Sequence, residues 1–492
     1  MNVIVIGSGL GGLSAACLLA SKGHNVTVLE KNSKPGGKIN EVKAQGYRFD
    51  TGPSLLTMPF VLESLFDQCG TAMDNHLTIE AINPICRYFF ENGTRFDCYR
   101  DTCVNIAQIQ AFAPDDVQAY REFMNYSREL YQKTKEAFLF NPLYGLSDVS
   151  SLKLTDFFRV DALKTVAERI DRQFKSPELQ KFFKRFTTYN GSSPYLAPAT
   201  LNVIPHVELS MGGYYIKGGM YRLVEALVDV AGHLGVAFSM NIDVKRITVK
   251  DRRATGVVDE ADHFYPADLV VSNADACETY LNLMESSSVS SLKKRTLTRM
   301  EPSCSGFVLM LGIDKTYPQL SHHTIFFSGN YRREFSQIFE RQMMPDDPTI
   351  YVANTSHSDP GHAPGGGSNL FVLVNAPYLT ENSRWDKRSS DYKHALIKKL
   401  EQRGLDGLRN HVRYAKAITP ADFQQKYRSY RGSIYGTSSN SRFSAFLRPR
   451  NKSRSVEGLY LVGGSTHPGG GIPLVVLSAF HATELISRYR EV

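Results

Sequence analysis

Gly7-Ser8-Gly9-Leu10-Gly11-Gly12 satisfies the pattern G-x-G-x-x-G, and each of its glycines has a chemical reason to be there. Gly7 permits a tight turn, Gly9 lets the backbone approach a pyrophosphate, and Gly12 lets the next helix pack close to the strand before it. The amides that open such a helix offer N–H donors and a positive dipole end to phosphate oxygens. Glu30 falls where a second strand ends, placed to accept hydrogen bonds from a ribose diol, and its charge repels a 2'-phosphate. Pro35-Gly36-Gly37-Lys38 then stays on the phosphate side, where an NAD domain normally proceeds to its next strand and helix. That departure points to FAD. A second glycine-rich loop, residues 463–471, leads into a terminal helix, and Pro473 suits the first position of that helix. A helix N-terminus aimed at the pyrimidine edge of a flavin stabilises the negative charge that arrives with a hydride.

These residues need elements to hold them. Residues 2–6 read as a short β-branched strand, 10–22 as a small-residue helix and 25–29 as a second strand, together one βαβ unit. Residues 32–38 and 46–54 read as turn-forming stretches. Helical spacing recurs over 115–140 and 220–235, and strands are expected at 237–241, 244–249, 254–258 and 269–272, the last running into Asn273-Ala274-Asp275. Further strand-like segments are 305–312, 349–353, 369–374 and 458–462, before the terminal helix at 474–488. Dinucleotide-type elements thus occur at the start, middle and end of the chain. The expectation is an α/β protein, α+β overall. Its Rossmann-type FAD domain is assembled from 1–75, 212–290 and 452–492, its mixed-sheet substrate domain from 76–130 and 291–451, and a helical insertion spans 131–211.

Length and composition agree with this and exclude other classes. At roughly 100 to 200 residues per domain, 492 residues imply two to four domains. A 42% apolar, 22% charged chain with a mean hydropathy of −0.26 is neither disordered nor a polytopic membrane protein. The 57 Lys and Arg against 49 Asp and Glu leave +8, which favours anionic surfaces only mildly, and no nucleic acid partner is expected. Seven cysteines without a C-x-x-C pair fit free thiols in a reducing compartment, and no metal site is expected; His322-His323 has no partner spacing for one. The N-terminus lacks the basic region of a signal peptide and no apolar run is long enough to span a bilayer. The expected location is therefore cytoplasmic, with peripheral contact to the inner face of the membrane.

The N-terminal motif with Glu30 and Gly36-Gly37-Lys38, together with residues 49–54, 214–219, 272–275 and Thr466-His467-Pro468-Gly469, resembles the bacterial and fungal carotenoid desaturases. Those are flavin amine-oxidase-like oxidoreductases, of the glutathione-reductase-like fold. The resemblance spans essentially the whole chain, and Lys38 departs from the arginine common at that point. It implies FAD bound by Gly7, Ser8, Gly9, Leu10, Gly11, Gly12, Glu30, Lys31, Gly37, Lys38, Asn273 and Pro473. Gly52, Pro53 and Ser54 would lie near the flavin ring and Val244 would present its backbone to the adenine. Gly464, Gly471 and Ile472 would line the ribityl chain and ring. It also implies a long apolar tunnel for a forty-carbon polyene taken from the membrane, and leans toward the 1-hydroxycarotenoid 3,4-desaturases. Phytoene desaturases, carotenoid isomerases, polyene saturases and a non-catalytic prenyl-binding protein on the same fold are the alternatives.

Desaturation sends a hydride to flavin and a proton to some acceptor, and the final electron acceptor, oxygen or a quinone, is left open. Asp156 and Arg159, at helical i, i+3 spacing, line up with a charged pair of the family that would serve as proton acceptor and partner. His206 and His467 are further candidates to meet substrate or flavin. Lys426, Arg428, Arg431, Arg442, Arg448, Arg450, Lys452 and Arg454, interleaved with Tyr427, Tyr430, Tyr435, Phe443 and Phe446, are expected to form a basic aromatic surface. With the apolar segment 137–154, that surface would face a membrane.

Overall fold

The computed structural model describes residues 1–142, 163–383, 385–441 and 448–489. Its first layer is a five-stranded parallel sheet in the order Leu459–Leu461, Leu269–Ser272, Asn2–Ile6, Asn25–Glu30 and Ala237–Met240. Strands such as Asn2–Ile6 and Leu269–Ser272 are apolar without alternation because both faces of the sheet are covered, one by helices and the other by the antiparallel strands Val244–Lys250 and Arg253–Asp259 with the helical turn Thr279–Leu283. The helix Leu10–Ser21 is buried from Leu10 to Ala20 and packs between Arg222–His233 and Ile472–Arg488. Only small residues such as Gly11, Gly12, Ser14, Ala15 and Ala16 allow that closeness. Its N-cap, Gly9, has no side chain to satisfy the first amides, which stay available to a ligand.

The second layer is a seven-stranded mixed sheet, in the order Val412–Ile418, Ser305–Ile313, Ser368–Ala376, Ile350–Asn354, His323–Phe326, Cys86–Phe89 and Arg95–Cys98. Pairing is antiparallel except between Cys86–Phe89 and His323–Phe326. The two-residue period divides its faces. Phe307, Leu309 and Leu311 join a core with Trp385, Leu396 and Leu400, whereas Val308, Phe371 and Leu373 line a cavity. Short helical turns at Arg185–Asn190, Ala199–Val203 and His206–Ser210 close this cavity from the other side, and two helices precede them in the chain. Val166–Gln173 begins with a reciprocal Thr165–Glu168 capping box, and Pro177–Lys184 begins with Ser176 accepting from the Leu179 amide. They are anchored by an aromatic core in which Phe123 and Phe174 lie 4.4 and 4.8 Å from the Phe183 ring and Tyr88 lies edge-on 5.0 Å from Phe182.

Several elements differ from the expected ones. Residues 46–54 are not all turn: Tyr47–Asp50 is the return strand of a hairpin with Glu41–Ala44. Its turn is Gln45-Gly46, both at positive φ, as a two-residue hairpin turn that follows the strand twist requires. The terminal helix begins at Ile472, two residues early, so Pro473 occupies its second position. The helix expected over 115–140 is regular over Val117–Lys135 and widens into a π turn at Glu136–Phe140. All seven cysteines are free thiols, buried except Cys103. No helix among the described residues is long and apolar enough to cross a membrane.

Candidate functional site

The N-terminal glycines are held against two other chain segments. A Cβ on Gly12 would sit 2.1 Å from Gly7 O, and one on Gly11 would sit 2.7 Å from Asn273 Oδ1 and 2.8 Å from Gly463 N. The Gly36 amide donates to Ser8 O at 2.9 Å, which lays the Pro35–Lys38 loop against the first glycine turn, and Gly52 is pinned under Lys38 O. Gly7, Gly9, Leu10, Gly11, Glu30, Lys31, Gly37, Lys38, Gly52, Pro53, Ser54, Val244, Asn273, Gly464, Gly471, Ile472 and Pro473 all line one cavity of about 690 Å³. Ser8 and Gly12 do not. Ser8 is turned to Glu30, and Gly12 serves the packing of helix on strand.

Glu30 is more constrained than a free ribose acceptor. Its Oε2 accepts from Ser8 N and Ser8 Oγ, both at 2.8 Å, and its Oε1 accepts from Asn32 N at 2.9 Å and Asn32 Nδ2 at 2.7 Å. A ribose hydroxyl would join or displace one of these donors, and the Asn32 side chain is the movable one. The Val244 carbonyl is likewise engaged, by Arg428 Nη1 at 3.0 Å, while Arg428 Nη2 pairs with Asp243. Lys31 Nζ donates to Gln425 O. Lys38 Nζ donates to Ile434 O at 2.7 Å; burial pushes its pKa down to about 8, and Asp275 opposes that shift. Burial in turn raises Asp275, against the pull of Lys38.

At the other glycine loop the Gly463 amide donates to Ser478 Oγ and the Ala276 amide to Ser465 Oγ, which ties the loop to the sheet and to the terminal helix. Arg448 lines the cavity there, 7% exposed, and donates to Gly464 O at 3.2 Å; burial alone lowers it to about 10. His467 also lines the cavity, but its Nε2 is bound to Asn141 O and its ring stacks on His481 5.2 Å away. Burial lowers it to about 4, so it is neutral and structural in character. His206 lies 5.3 Å from the Tyr131 ring with the two planes tilted, and its amide donates to Ser127 Oγ.

The expected basic aromatic surface is corrected. Arg428 and Arg448 are turned inward, toward Asp243 and Gly464 O, an acid and a backbone carbonyl that take those donors, and Lys452 is buried with its amine over the Tyr489 ring. Lys426, Arg431 and Arg454 remain exposed. Arg442, Phe443 and Phe446 lie outside the described residues, as do Asp156 and Arg159.

Away from the glycines the same cavity is lined by Leu55, Ile204, Val207, Ile325, Phe371 and Leu373. Two clusters of polar side chains stand in this lining; sequence reasoning placed Ser54 near the flavin ring but foresaw neither cluster as a unit. Arg185 Nη2 and Tyr189 OH donate to the two carboxylate oxygens of Glu208, which is 1% exposed. Ser54 Oγ lies 2.5 Å from Tyr351 OH, which lies 2.8 Å from His323 Nδ1. His323 and Ile325 lie two apart on one strand and so share a face, a period-two signal that was available in the sequence; Arg185 and Glu208 left none. Among the described residues no cluster of His, Cys, Asp and Glu is arranged to hold a metal.

A glycine cradle with no room for a Cβ, uncapped helix amides and a strand-end carboxylate fit FAD. Residues 10–487 match the family model described as flavin containing amine oxidoreductase. The 4,4'-diaponeurosporene oxygenase of Staphylococcus haemolyticus is 36% identical over 490 residues, covering 99% of this chain and 97% of that protein. The 4,4'-diapolycopene oxygenase of a Methylomonas species is 37% identical over 480 residues, covering 97% and 96%. Among solved structures, an oxidoreductase from Methanosarcina mazei (17% identical, TM-score 0.66, 98% of this chain and 100% of that one) shares the fold. So does a putrescine oxidase variant (14%, TM-score 0.65, 99% of both). The resemblance to carotenoid-modifying flavoenzymes is borne out by these relatives, and the chain belongs to the flavin-containing amine oxidoreductases as an FAD-dependent enzyme.

Proposed function

We propose that the chain oxidises a long linear carotenoid near one of its ends, drawing it from the cytoplasmic face of a membrane. The observation that carries this reading is the continuity of the cavity, which joins the glycine cradle to a chamber walled by Ile204, Val207, Ile325, Phe371 and Leu373. An apolar chain loses its water there and meets the cofactor without solvent between them. Gly7, Gly9, Gly11 and Gly37 would hold the pyrophosphate, Glu30 the ribose, and the loop at Gly464 with Gly471 and Ile472 the flavin end. Bound FAD supplies a hydride acceptor. The start of the Ile472–Arg488 helix and the buried Arg448 are the positive charge available to an electron-rich flavin, and the apolar walls keep water from an intermediate cation on the polyene.

The names of the relatives support oxidation at the end of a linear carotenoid, with gain of oxygen. A second reading, 1-hydroxycarotenoid 3,4-desaturation, is favoured by the polar groups in the apolar lining, because a chamber for hydrocarbon alone has no use for them. The test is holoenzyme with liposome-borne carotenoids, analysed by chromatography with diode-array and mass detection. Gain of oxygen by a linear carotenoid supports the first reading. Loss of two hydrogens from a 1-hydroxylated carotenoid, with a chromophore longer by one double bond, supports the second. Absence of flavin-dependent conversion of either sinks both, and multi-step conversion of phytoene with the others untouched leaves a phytoene desaturase instead.

A further inference from the structure

The two polar groups in the chamber stand on opposite walls. Tyr351 and His323 project from the mixed sheet on the face that also presents Ile325 and Leu373, since Tyr351 pairs with Leu373 and with Ile325 across neighbouring strands. Arg185, Tyr189 and Glu208 come from the short helical turns Arg185–Asn190 and His206–Ser210 that close the chamber. A buried ion pair gives up hydration that its own attraction need not return, so burial is not by itself a reason for this pair to be here. Its hydrogen-bond inventory is unbalanced. The guanidinium has five N–H donors and gives one to Glu208, and it lies 4.1 Å over the Phe186 ring and 5.3 Å over the Tyr88 ring. Tyr189 spends its proton on Glu208, and His323 Nε2 is buried without a partner. Burial keeps His323 neutral, and Arg185 is near enough to reinforce that. What is missing is an acceptor.

We propose that Arg185, Tyr189 and Glu208, facing Tyr351 and His323, form the subsite that receives an oxygen-bearing end of the carotenoid, a hydroxyl or carbonyl whose oxygen takes the unused donors. The proposal rests on the carotenoid reading above and deepens it, because it says which end of the molecule enters first. Glu208 orients Arg185 and Tyr189, and the hydrocarbon remainder lies along Ile204, Val207 and Phe371.

The experiment compares kcat/KM of FAD-loaded enzyme for a 1-hydroxylated carotenoid and for its parent hydrocarbon, both in liposomes. Wild-type enzyme is expected to prefer the oxygen-bearing substrate by about tenfold or more, the range of a hydrogen bond to a charged group. The double variant Arg185→Met/Glu208→Leu removes both charges together, a change that buried ion pairs commonly tolerate. Arg185→Lys keeps a cation beside Glu208 but loses the forked donors, and tests the subsite should the double variant lose FAD. Collapse of the preference toward one in either variant, through KM of the oxygen-bearing substrate, supports the subsite. An unchanged ratio, with both substrates slowed alike, overturns it and leaves the cluster a structural part of the wall. No turnover of either carotenoid by wild-type holoenzyme overturns the carotenoid reading itself.

Discussion

Glu30 is the residue in which folding and cofactor recognition are most closely coupled. Four donors from Ser8 and Asn32 converge on its carboxylate, and it is 4% exposed. Glu30→Ala therefore leaves the buried Ser8 amide unpaired, which costs about 1 to 3 kcal/mol of stability, and removes a charged acceptor from the ribose. FAD affinity is expected to fall about tenfold or more, and unchanged affinity in a titration would take Glu30 out of the site. Lys38 gives a pH dependence with a definite sign. Its pKa falls from an ordinary 10.5 to about 8, so above pH 8 the folded apoprotein releases a proton that the unfolded chain retains up to about 10.5. For this group, stability rises over that window. FAD brings an anionic pyrophosphate that favours the protonated amine, so FAD affinity should weaken as pH rises through 8, and Lys38→Met should flatten that slope. A slope identical in Lys38→Met would assign it to another group. The glycine pattern and Glu30 were legible in the sequence because their chemistry is local. The donors that surround Glu30 were not, since nothing in the composition says that Ser8 turns back on a strand end 22 residues away.

At the scale of elements, the glycines that look alike in the motif do different work. Gly12 faces a backbone oxygen, Gly7 O, at 2.1 Å from where a Cβ would be, and backbone cannot step aside. Gly9 faces the end of the Asn273 side chain, which can rotate. Gly12→Ala should therefore lower the melting temperature of the apoprotein, whereas Gly9→Val should leave a folded protein that fails to take up FAD. Equal melting temperatures for the Gly12 variant and wild type would show that the helix can shift to admit the methyl. The loop before the terminal helix invites a second test. Arg448 sits at Gly464 O with burial opposing its charge, so a negative partner in the cavity would stabilise it. If the reduced flavin is that partner, Arg448→Met should lower the two-electron potential of bound FAD by about 30 mV or more, the equivalent of about 1.4 kcal/mol. An unchanged potential at full FAD occupancy would place Arg448 away from the ring. Periodicity located most of these elements to within two residues, but it missed the Tyr47–Asp50 strand. Residues 46–54 read as turn-forming, whereas the hairpin buries Arg48 and Asp50 as an ion pair.

At the scale of the whole molecule, the parallel layer was readable because its first strand, glycine turn, helix and second strand are neighbours in sequence. The chamber was not, since Ser54 meets Tyr351 across 297 positions and no spacing rule reaches that far. The same limit bears on the proposed contact with a membrane. A run of eight cations between Lys426 and Arg454 suggested an electrostatic docking face, yet Arg428, Arg448 and Lys452 are occupied inside the cofactor layer, which leaves less charge for lipid headgroups. Apolar side chains are exposed instead near the helical cover of the chamber. Leu163 is 58% and Leu196 42% exposed, close to the bridge between Thr165 and Pro198, and Phe60 is 39% exposed beside the Phe140 ring. Large apolar side chains left partly in water next to the cover of an apolar chamber fit contact with the acyl boundary of a bilayer, where covering the exposed half of each recovers about 1 kcal/mol. Flotation of the holoenzyme with neutral vesicles is therefore expected to persist at high salt, since only the charged part is screened, within about 8 Å at physiological ionic strength. The pair Leu163→Asp and Leu196→Asp should reduce flotation while FAD occupancy stays at the wild-type level. Flotation that requires anionic lipid, vanishes at high salt and ignores the Leu163 and Leu196 changes would return the docking face to Lys426, Arg431 and Arg454.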